Sequence, residues 1–304
     1  MTELTSPLSG SLRPAPHVPP FDERDVLTKD QTPLTARFYA AREPARGAVL
    51  IVPAMAVPQR FYAAFASWLA TQGFHAVTFD YRGTGLSKRG PMRAVEADVI
   101  TWAEHDTQAV LDALRARAPG LPITWIGHSL GGQIIPFVRD RRAVEKIITI
   151  ATGSGYWREN TKGLRRKVWI MWWGLVPVLT PLFGYFPGKR LGMVGDLPKG
   201  VIQQWRRWCL DPEYAVGDGE AVRALYAGVT TPITALSFTD DEMMSAENTA
   251  SIHGFYVNAP RAMCRIAPAE LGLARIGHFG CFRDELRAPL WEARIRGELA
   301  AADS

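Results

Sequence analysis

Short apolar runs alternate with amphipathic stretches along the first half of this chain. Residues 34–40, 48–52 and 76–79 have the composition of strands, and residues 61–72 have the pattern of a helix that ends at Gly73. The run at 48–52 is apolar at every position, which is typical of a strand buried on both faces. The pattern therefore predicts a parallel sheet with helices packed on it.

The alternation continues as far as residue 151 and resumes near residue 232. It predicts a helical region at 95–117, a strand at 122–125, a helix-like stretch at 133–142 and a strand at 146–151. Two later strands follow at 232–238 and 262–266, and a mostly helical segment covers 285–300. Repeated strand and helix indicate the α/β class, in which ligands lie at the carboxyl ends of the strands.

A glycine-rich turn lies between the strand at 122–125 and the following helix. It reads Gly127-His128-Ser129-Leu130-Gly131, which is the G-x-S-x-G pattern of a nucleophile elbow. The small residues on either side of Ser129 let strand and helix approach closely around a strained serine. The pattern predicts an exposed serine hydroxyl at the sheet edge.

With this elbow and the turn at 80–87, the chain resembles the α/β-hydrolases, most closely the bacterial serine aminopeptidase-like and lysophospholipase-like serine hydrolases. The resemblance implies an α/β-hydrolase fold, with a mostly parallel eight-stranded sheet flanked by helices and an inserted helical cap. We expect the core at 34–152 and 226–304, the cap at 153–225 and a loosely ordered segment at 1–33.

A serine nucleophile needs a base and a carboxylate that orients the base. His278 lies in a Gly-His-Phe-Gly loop after the last strand, whereas the other histidines lie upstream of the serine, inside the elbow or too close behind the carboxylate. The acid is Asp241 or Asp240. Spacing favours Asp241, and the other aspartate would then cap the following helix. The order serine, aspartate, histidine is that of the α/β-hydrolases.

An oxyanion hole requires two N–H groups that face the developing negative charge. Leu130, directly after the nucleophile, supplies the first. The second comes from the loop after the strand at 48–52, where we place it at Met55 with Ala56 as the alternative. The His-Gly sequence that related hydrolases often have in this loop is absent.

The region between 153 and 215 is aromatic and basic. It holds six of the ten tryptophans, and its ten basic and four acidic residues give a local charge of +6. Residues 168–188 carry no charge, but their prolines argue against a membrane-spanning helix. Such a cap predicts an apolar substrate channel and weak contact with a membrane surface, although the tryptophans could equally serve only to pack the cap.

The amino-acid composition bears on the partners, the cofactors and the location of the protein. The net charge of +5 comes without a basic and aromatic run that would track a nucleic acid, so we expect no nucleic-acid partner. The three cysteines are scattered, and neither a disulfide framework, a metal nor a cofactor is expected. The first twenty residues are proline-rich and lack a signal-peptide core, which makes a cytoplasmic location the default.

The sequence therefore predicts a serine hydrolase that cleaves hydrophobic carboxylic esters through an acyl-enzyme intermediate. A thioesterase or an acyltransferase would use the same triad, and a binding protein without activity could share the fold. The oligomeric state and the natural substrate stay open.

Overall fold

A computed structural model of the chain describes residues 21–193 and 195–299. Its ten strands are β1 (Phe21–Leu27), β2 (Pro33–Tyr39), β3 (Gly47–Val52), β4 (Phe74–Phe79), β5 (Ile123–His128), β6 (Lys146–Ile150), β7 (Tyr185–Phe186), β8 (Leu197–Pro198), β9 (Ile233–Phe238) and β10 (Arg261–Ile266). Eight of them form one sheet in the order β1-β2-β4-β3-β5-β6-β9-β10, and β7 pairs with β8 in a separate short ladder. Only β2 runs antiparallel to its neighbours, so the predicted mostly parallel sheet is confirmed.

Helices connect the strands and cover both faces of the sheet. They are α1 (Ala63–Thr71), α2 (Val99–Thr101), α3 (Gln108–Arg117), α4 (Leu130–Gln133), α5 (Lys162–Ile170), α6 (Val176–Phe183), α7 (Lys199–Leu210), α8 (Glu220–Ala227), α9 (Ala246–Gly254) and α10 (Gly277–Gly280). A π-helical segment, Trp102–Thr107, joins α2 to α3, and another, Met171–Leu175, joins α5 to α6. The C-terminal part is π-helical over Arg287–Ile295.

Strand β3 shows why its sequence is apolar throughout. Leu50 and Val52 belong to the core on one face, with α3 and the helices between β6 and β9. Val49 and Ile51 belong to the core on the other face, with α1 and the C-terminal segment. Successive side chains of a strand point to opposite faces, so a strand buried on both sides has no position for a polar residue.

The expectation of a loose segment at 1–33 is wrong for the part that the structure describes. Residues 21–27 form β1, which pairs antiparallel with β2 along its whole length. Val26 is the buried residue of this strand, and its other side chains are exposed. Backbone hydrogen bonds to β2, rather than apolar content, therefore hold this strand, and apolar patterning could not reveal it. The rest of that prediction lies outside the described residues.

The helix expected at 133–142 is also wrong. Helix α4 starts earlier, at Leu130, and ends at Gln133, and short 3-10 turns at Ile135–Phe137 and Arg141–Ala143 follow it. Pro136 has no N–H to extend the helix. Side chains bond the carbonyl groups of α4 instead: Trp125 Nε1 donates to Gly131 (2.9 Å), Tyr256 Oη to Gly132 (3.1 Å) and Tyr226 Oη to Gln133 (3.0 Å).

Between β6 and β9 the chain is mostly helical, with α5, α6, α7 and α8 packed at the carboxyl edge of the sheet. Pro177 does not stop the helical path, which runs from α5 through the π-helical segment Met171–Leu175 into α6, so the hydrogen-bond pattern changes just before the proline. Gly184 ends α6 in the left-handed conformation at φ 77°. Across the part of the chain that the structure describes, no helix is both long and apolar enough to cross a bilayer.

Replacing Tyr226 by Phe tests the role of the tyrosine hydroxyls around α4. Tyr226→Phe should lower the free energy of unfolding by about 1–3 kcal/mol, because the buried Gln133 carbonyl loses its partner. Urea denaturation would measure the change. Tyr185→Phe is the control, since that hydroxyl makes no hydrogen bond within residues 21–193 and 195–299. Equal stability of both variants would contradict this account.

Candidate active site

Ser129 stands in the strained turn that the elbow motif predicted. Its φ of 51° and ψ of −111° lie outside the regions that residues with a side chain normally adopt. The turn is locked by the Ser129 N–H, which donates to Ile150 O on β6 at 2.9 Å. A Cβ atom at Gly131 would overlap Val52 O on β3, so only glycine allows α4 to pack against the sheet here.

His278 and Asp241 form a buried pair at the carboxyl edge of the sheet. The His278 Nδ1 lies 2.9 Å from Asp241 Oδ2 and 3.1 Å from Oδ1. Asp241 Oδ1 also accepts from the N–H groups of Met243 (2.7 Å) and Met244 (2.9 Å). A carboxylate held in this way fixes the histidine tautomer with the proton on Nδ1. Nε2 is then left as the basic nitrogen.

The residues on both sides of Asp241 hold the backbone that carries His278. Asp240 Oδ2 accepts from the N–H groups of Ile276 (2.8 Å) and Gly277 (3.0 Å), and Glu242 Oε2 accepts from His278 N–H at 3.1 Å. Three consecutive acids after β9 therefore bind one short segment, which forms the helical turn α10 rather than the expected loop.

The expectation that the second aspartate caps the following helix is wrong. Ser245 takes that position in a capping box with Asn248 at the start of α9. A helix cap is the role that suits an aspartate just before a helix, but the hydrogen-bond partners of Asp240 lie 36 and 37 residues further along the chain. The sequence does contain a signal for these hydrogen bonds. The run Asp240-Asp241-Glu242 places three acids side by side, and adjacent acids repel one another unless hydrogen-bond donors surround them.

His128, inside the elbow, is buried and does not act as a base, because both of its ring nitrogens make hydrogen bonds. Its Nε2 lies 3.1 Å from the backbone oxygen of His278, and its Nδ1 lies 2.9 Å from Tyr62 Oη, which accepts from Ala54 N–H at 2.9 Å. A carbonyl only accepts, so Nε2 carries the proton and Tyr62 donates to Nδ1. Burial holds the pKa of His128 well below its ordinary 6.5 and keeps the ring neutral. This series of hydrogen bonds links the loop after β3, the elbow and the His278 turn.

The two expected oxyanion donors, Leu130 and Met55, line the same cavity as Ser129. Leu130 is the first residue of α4, where a helix leaves its N–H groups without intrahelical partners. Met55 and Ala56 lie in a turn closed by Val57 N–H on Ala54 O at 3.1 Å, and Ala56 has a φ of 57°. The Ala54 N–H is already bonded to Tyr62, which leaves Met55 or Ala56 for this role. Which of them acts stays a prediction.

A cavity of about 150 Å³ joins these groups under the segment between β6 and β9. Its wall includes Ser129, Leu130, Met55, Ala56 and His278, so the structure brings together every predicted site residue, with Asp241 behind the histidine. Most of the rest of the wall is apolar and includes Leu164, Val168, Met171, Trp172, Trp205, Met243, Met244 and Phe279. Such a wall suits an apolar ligand.

Part of the chain matches a known family model and a known lipase. The family model described as serine aminopeptidase, S33, matches residues 43–183. Monoglyceride lipase of Saccharomyces cerevisiae is 31% identical over 91 residues, which are 29% of this chain. That match spans only 28% of the lipase, well under two thirds of its length.

Solved structures share the fold over nearly the whole chain. DcsB, solved in complex with its substrate analogue, aligns with a TM-score of 0.63 at 16% identity, over 92% of this chain and 100% of DcsB. The Pyrococcus furiosus esterase Pf2001 aligns with a TM-score of 0.56 at 13% identity, over 92% of this chain and 90% of the esterase. These alignments show that the chain has the α/β-hydrolase fold that its motifs predicted.

Substitution of the two aspartates separates their roles. Asp241→Asn should lower kcat by about 10⁴-fold, because an amide that donates towards His278 favours the wrong tautomer. Asp240→Asn should cost less than about tenfold, since its side-chain oxygen can still accept from Ile276 and Gly277. Steady-state kinetics on one ester would decide, and a larger loss in Asp240→Asn would reverse the assignment.

Two buried histidines make stability depend on pH. Burial lowers the pKa of His253 to about 4 and that of His128 well below 6.5. Below about pH 6.5 the unfolded chain binds protons on these rings that the folded chain refuses, so stability falls as the pH drops. Each histidine should contribute up to about 1.4 kcal/mol per pH unit.

Urea denaturation between pH 7.5 and 5 would measure this slope in the wild type and in His253→Gln. The variant should show a smaller decrease in the free energy of unfolding, because one of the two titrating rings is gone. Identical slopes would mean that His253 takes up protons equally in the folded and unfolded chains, which would contradict this account.

Proposed function

We propose that the protein is a carboxylesterase that hydrolyses hydrophobic esters through an acyl-enzyme intermediate. One observation carries the proposal: a strained Ser129 and the His278–Asp241 pair line one mainly apolar cavity. The matched family and the lipase relative support ester chemistry without assigning a substrate to this chain.

Acylation would begin with Ser129 Oγ attacking the ester carbonyl. His278 Nε2 takes the hydroxyl proton, and Asp241 stabilises the imidazolium that forms. The N–H groups of Leu130 and Met55 hold the negative oxygen of the tetrahedral intermediate, each donor being worth on the order of 3 kcal/mol in the transition state. His278 then protonates the departing alcohol.

Deacylation repeats these steps with water as the nucleophile. His278 removes a proton from water, which attacks the acyl-serine, and the same proton returns to Ser129 Oγ as the acid leaves. His128 takes no part in proton transfer, since its pKa is far below neutrality and both ring nitrogens are engaged. Its role is to hold the backbone of His278 at a fixed distance from the elbow.

The cavity wall favours esters over substrates with a free amine. An aminopeptidase needs carboxylates that bind the substrate's ammonium group, and the described residues of the wall include none. A thioesterase or acyltransferase would keep the acyl-enzyme and change only the leaving group or the acceptor. A binding protein without activity is disfavoured, because every triad position is filled.

The outer side of the cap is compatible with weak contact to a membrane surface. Trp169, Ile170 and Leu182 are exposed, the last to 72%, and Arg165 and Arg166 lie beside the tryptophan. Exposed aromatic and basic side chains on one helical face are typical of interfacial segments. This contact stays a prediction, as does the cytoplasmic location.

Hydrolysis of p-nitrophenyl esters from short to long acyl chains would test the proposal. The wild type should turn them over, and Ser129→Ala and His278→Ala should each reduce kcat by at least about 10³-fold, because either change removes the acyl-transfer step. Arg294→Ala serves as the control, because Arg294 is an exposed residue near the end of the described part of the chain. A folded wild type inactive on the whole series would contradict the esterase proposal.

A further inference from the structure

A second cavity, of about 300 Å³, lies next to the apolar one. Ala56 and Gly195 line both, so the two cavities are neighbours across the turn that carries Met55. The wall of the second cavity comes from the turn after β4, from the start of the 3-10 turn Gln59–Tyr62 and from the loop between β7 and β8. We call it the basic cavity.

Positive charge dominates the basic cavity. Its wall contains Arg37, Arg60, Lys88 and Lys189. Arg37 is neutralised by Glu23 at 2.8 Å. For the other three, no ion pair occurs among residues 21–193 and 195–299, although lysine and arginine elsewhere on the surface are often paired.

The two acids in the same wall offset only part of this charge. Asp80 is buried and already accepts from Gln59 N–H (2.7 Å), Gln59 Nε2 (3.1 Å) and Leu86 N–H (2.8 Å). Burial also raises its pKa, which weakens it as an anion. Asp196 accepts from the Lys189 backbone N–H at 3.0 Å. Neither acid pairs with a lysine side chain in the described residues, so with Arg60, Lys88 and Lys189 against Asp196 the wall stays net positive and the two lysine ammonium groups remain available.

We propose that the basic cavity binds a phosphate group on the leaving-group side of the substrate while the acyl chain occupies the apolar cavity. This inference deepens the proposed function and rests on it. The ester carbonyl would then lie at Ser129, near the turn at Met55 and Ala56 that separates the two cavities. The substrate class is an acyl ester whose alcohol carries a phosphate.

The arrangement has a physical reason beyond charge alone. Lys88 belongs to the core, in the turn after β4, whereas Lys189 belongs to the cap, just after β7. A phosphate held between them would tie cap to core, and charge-assisted hydrogen bonds of this kind are stronger than neutral ones. A neutral alcohol could not form them, so the cavity distinguishes esters by the charge of their leaving group.

Ligand binding to a variant that cannot turn over substrate tests this inference separately from catalysis. In a Ser129→Ala background, octyl phosphate should bind more tightly than octanol by calorimetry, and less tightly as salt is raised. Adding Lys88→Ala and Lys189→Ala should weaken the binding of octyl phosphate at least tenfold and leave the binding of octanol unchanged. Arg294→Ala with Arg296→Ala removes the same charge elsewhere and is the matched control. Equal weakening in both pairs, or none in either, would overturn the site.

Turnover then identifies the source of the phosphate. In an otherwise wild-type protein, the lysine pair should lower kcat/KM at least tenfold for a monoacylglycerol 3-phosphate and keep it for the neutral monoacylglycerol. An acyl-coenzyme A of equal chain length is the second arm, and a selective loss there assigns the phosphate to a thiol leaving group instead. A parallel loss on neutral and phosphorylated substrates would contradict the inference. A wild type inactive on every ester would contradict only the proposed function, since binding to Ser129→Ala still tests the cavity.

Discussion

The hydrogen bonds that hold the His278 turn are the constraint on which the site depends. A single turn of helix is too short to be stable by itself, and here the loop after β9 fixes it through Asp240, Asp241 and Glu242, while His128 binds its carbonyl from the elbow. His278 is therefore positioned from two strands at once. Because both strands belong to one sheet, the sheet itself sets how the His278 turn lies relative to the elbow.

The sequence predicted what is encoded locally. Gly127, Ser129 and Gly131 identify the elbow because the backbone strain and the close approach of α4 to β3 depend on residues two positions apart. The parallel sheet was predictable from apolar runs such as 48–52, since a strand buried on both faces tolerates no polar position. Asp241 was preferred over Asp240 on spacing, and the hydrogen bond to His278 agrees with that choice.

What the sequence could not predict depends on partners far along the chain. The helix after the elbow ends early because Pro136 cannot extend it and because Tyr226 and Tyr256 bond its carbonyl groups, and nothing near Gln133 indicates those two distant partners. His128 could be rejected as a base from its position, but its bonds reach Tyr62 and His278, 66 and 150 residues away. Strand β1 was missed because its stability comes from backbone pairing rather than from apolar side chains.

The chain of contacts from Ala54 through Tyr62 and His128 to His278 also has a kinetic meaning for how the molecule is made. These residues lie 8, 66 and 150 positions apart, so bringing them together costs loop-closure entropy that local contacts do not. The elbow turn itself is bonded to β6, and its strain has to be balanced by neighbouring strands. We therefore expect a newly synthesised chain to hold Ser129 in its strained turn only once those strands of the sheet are in place.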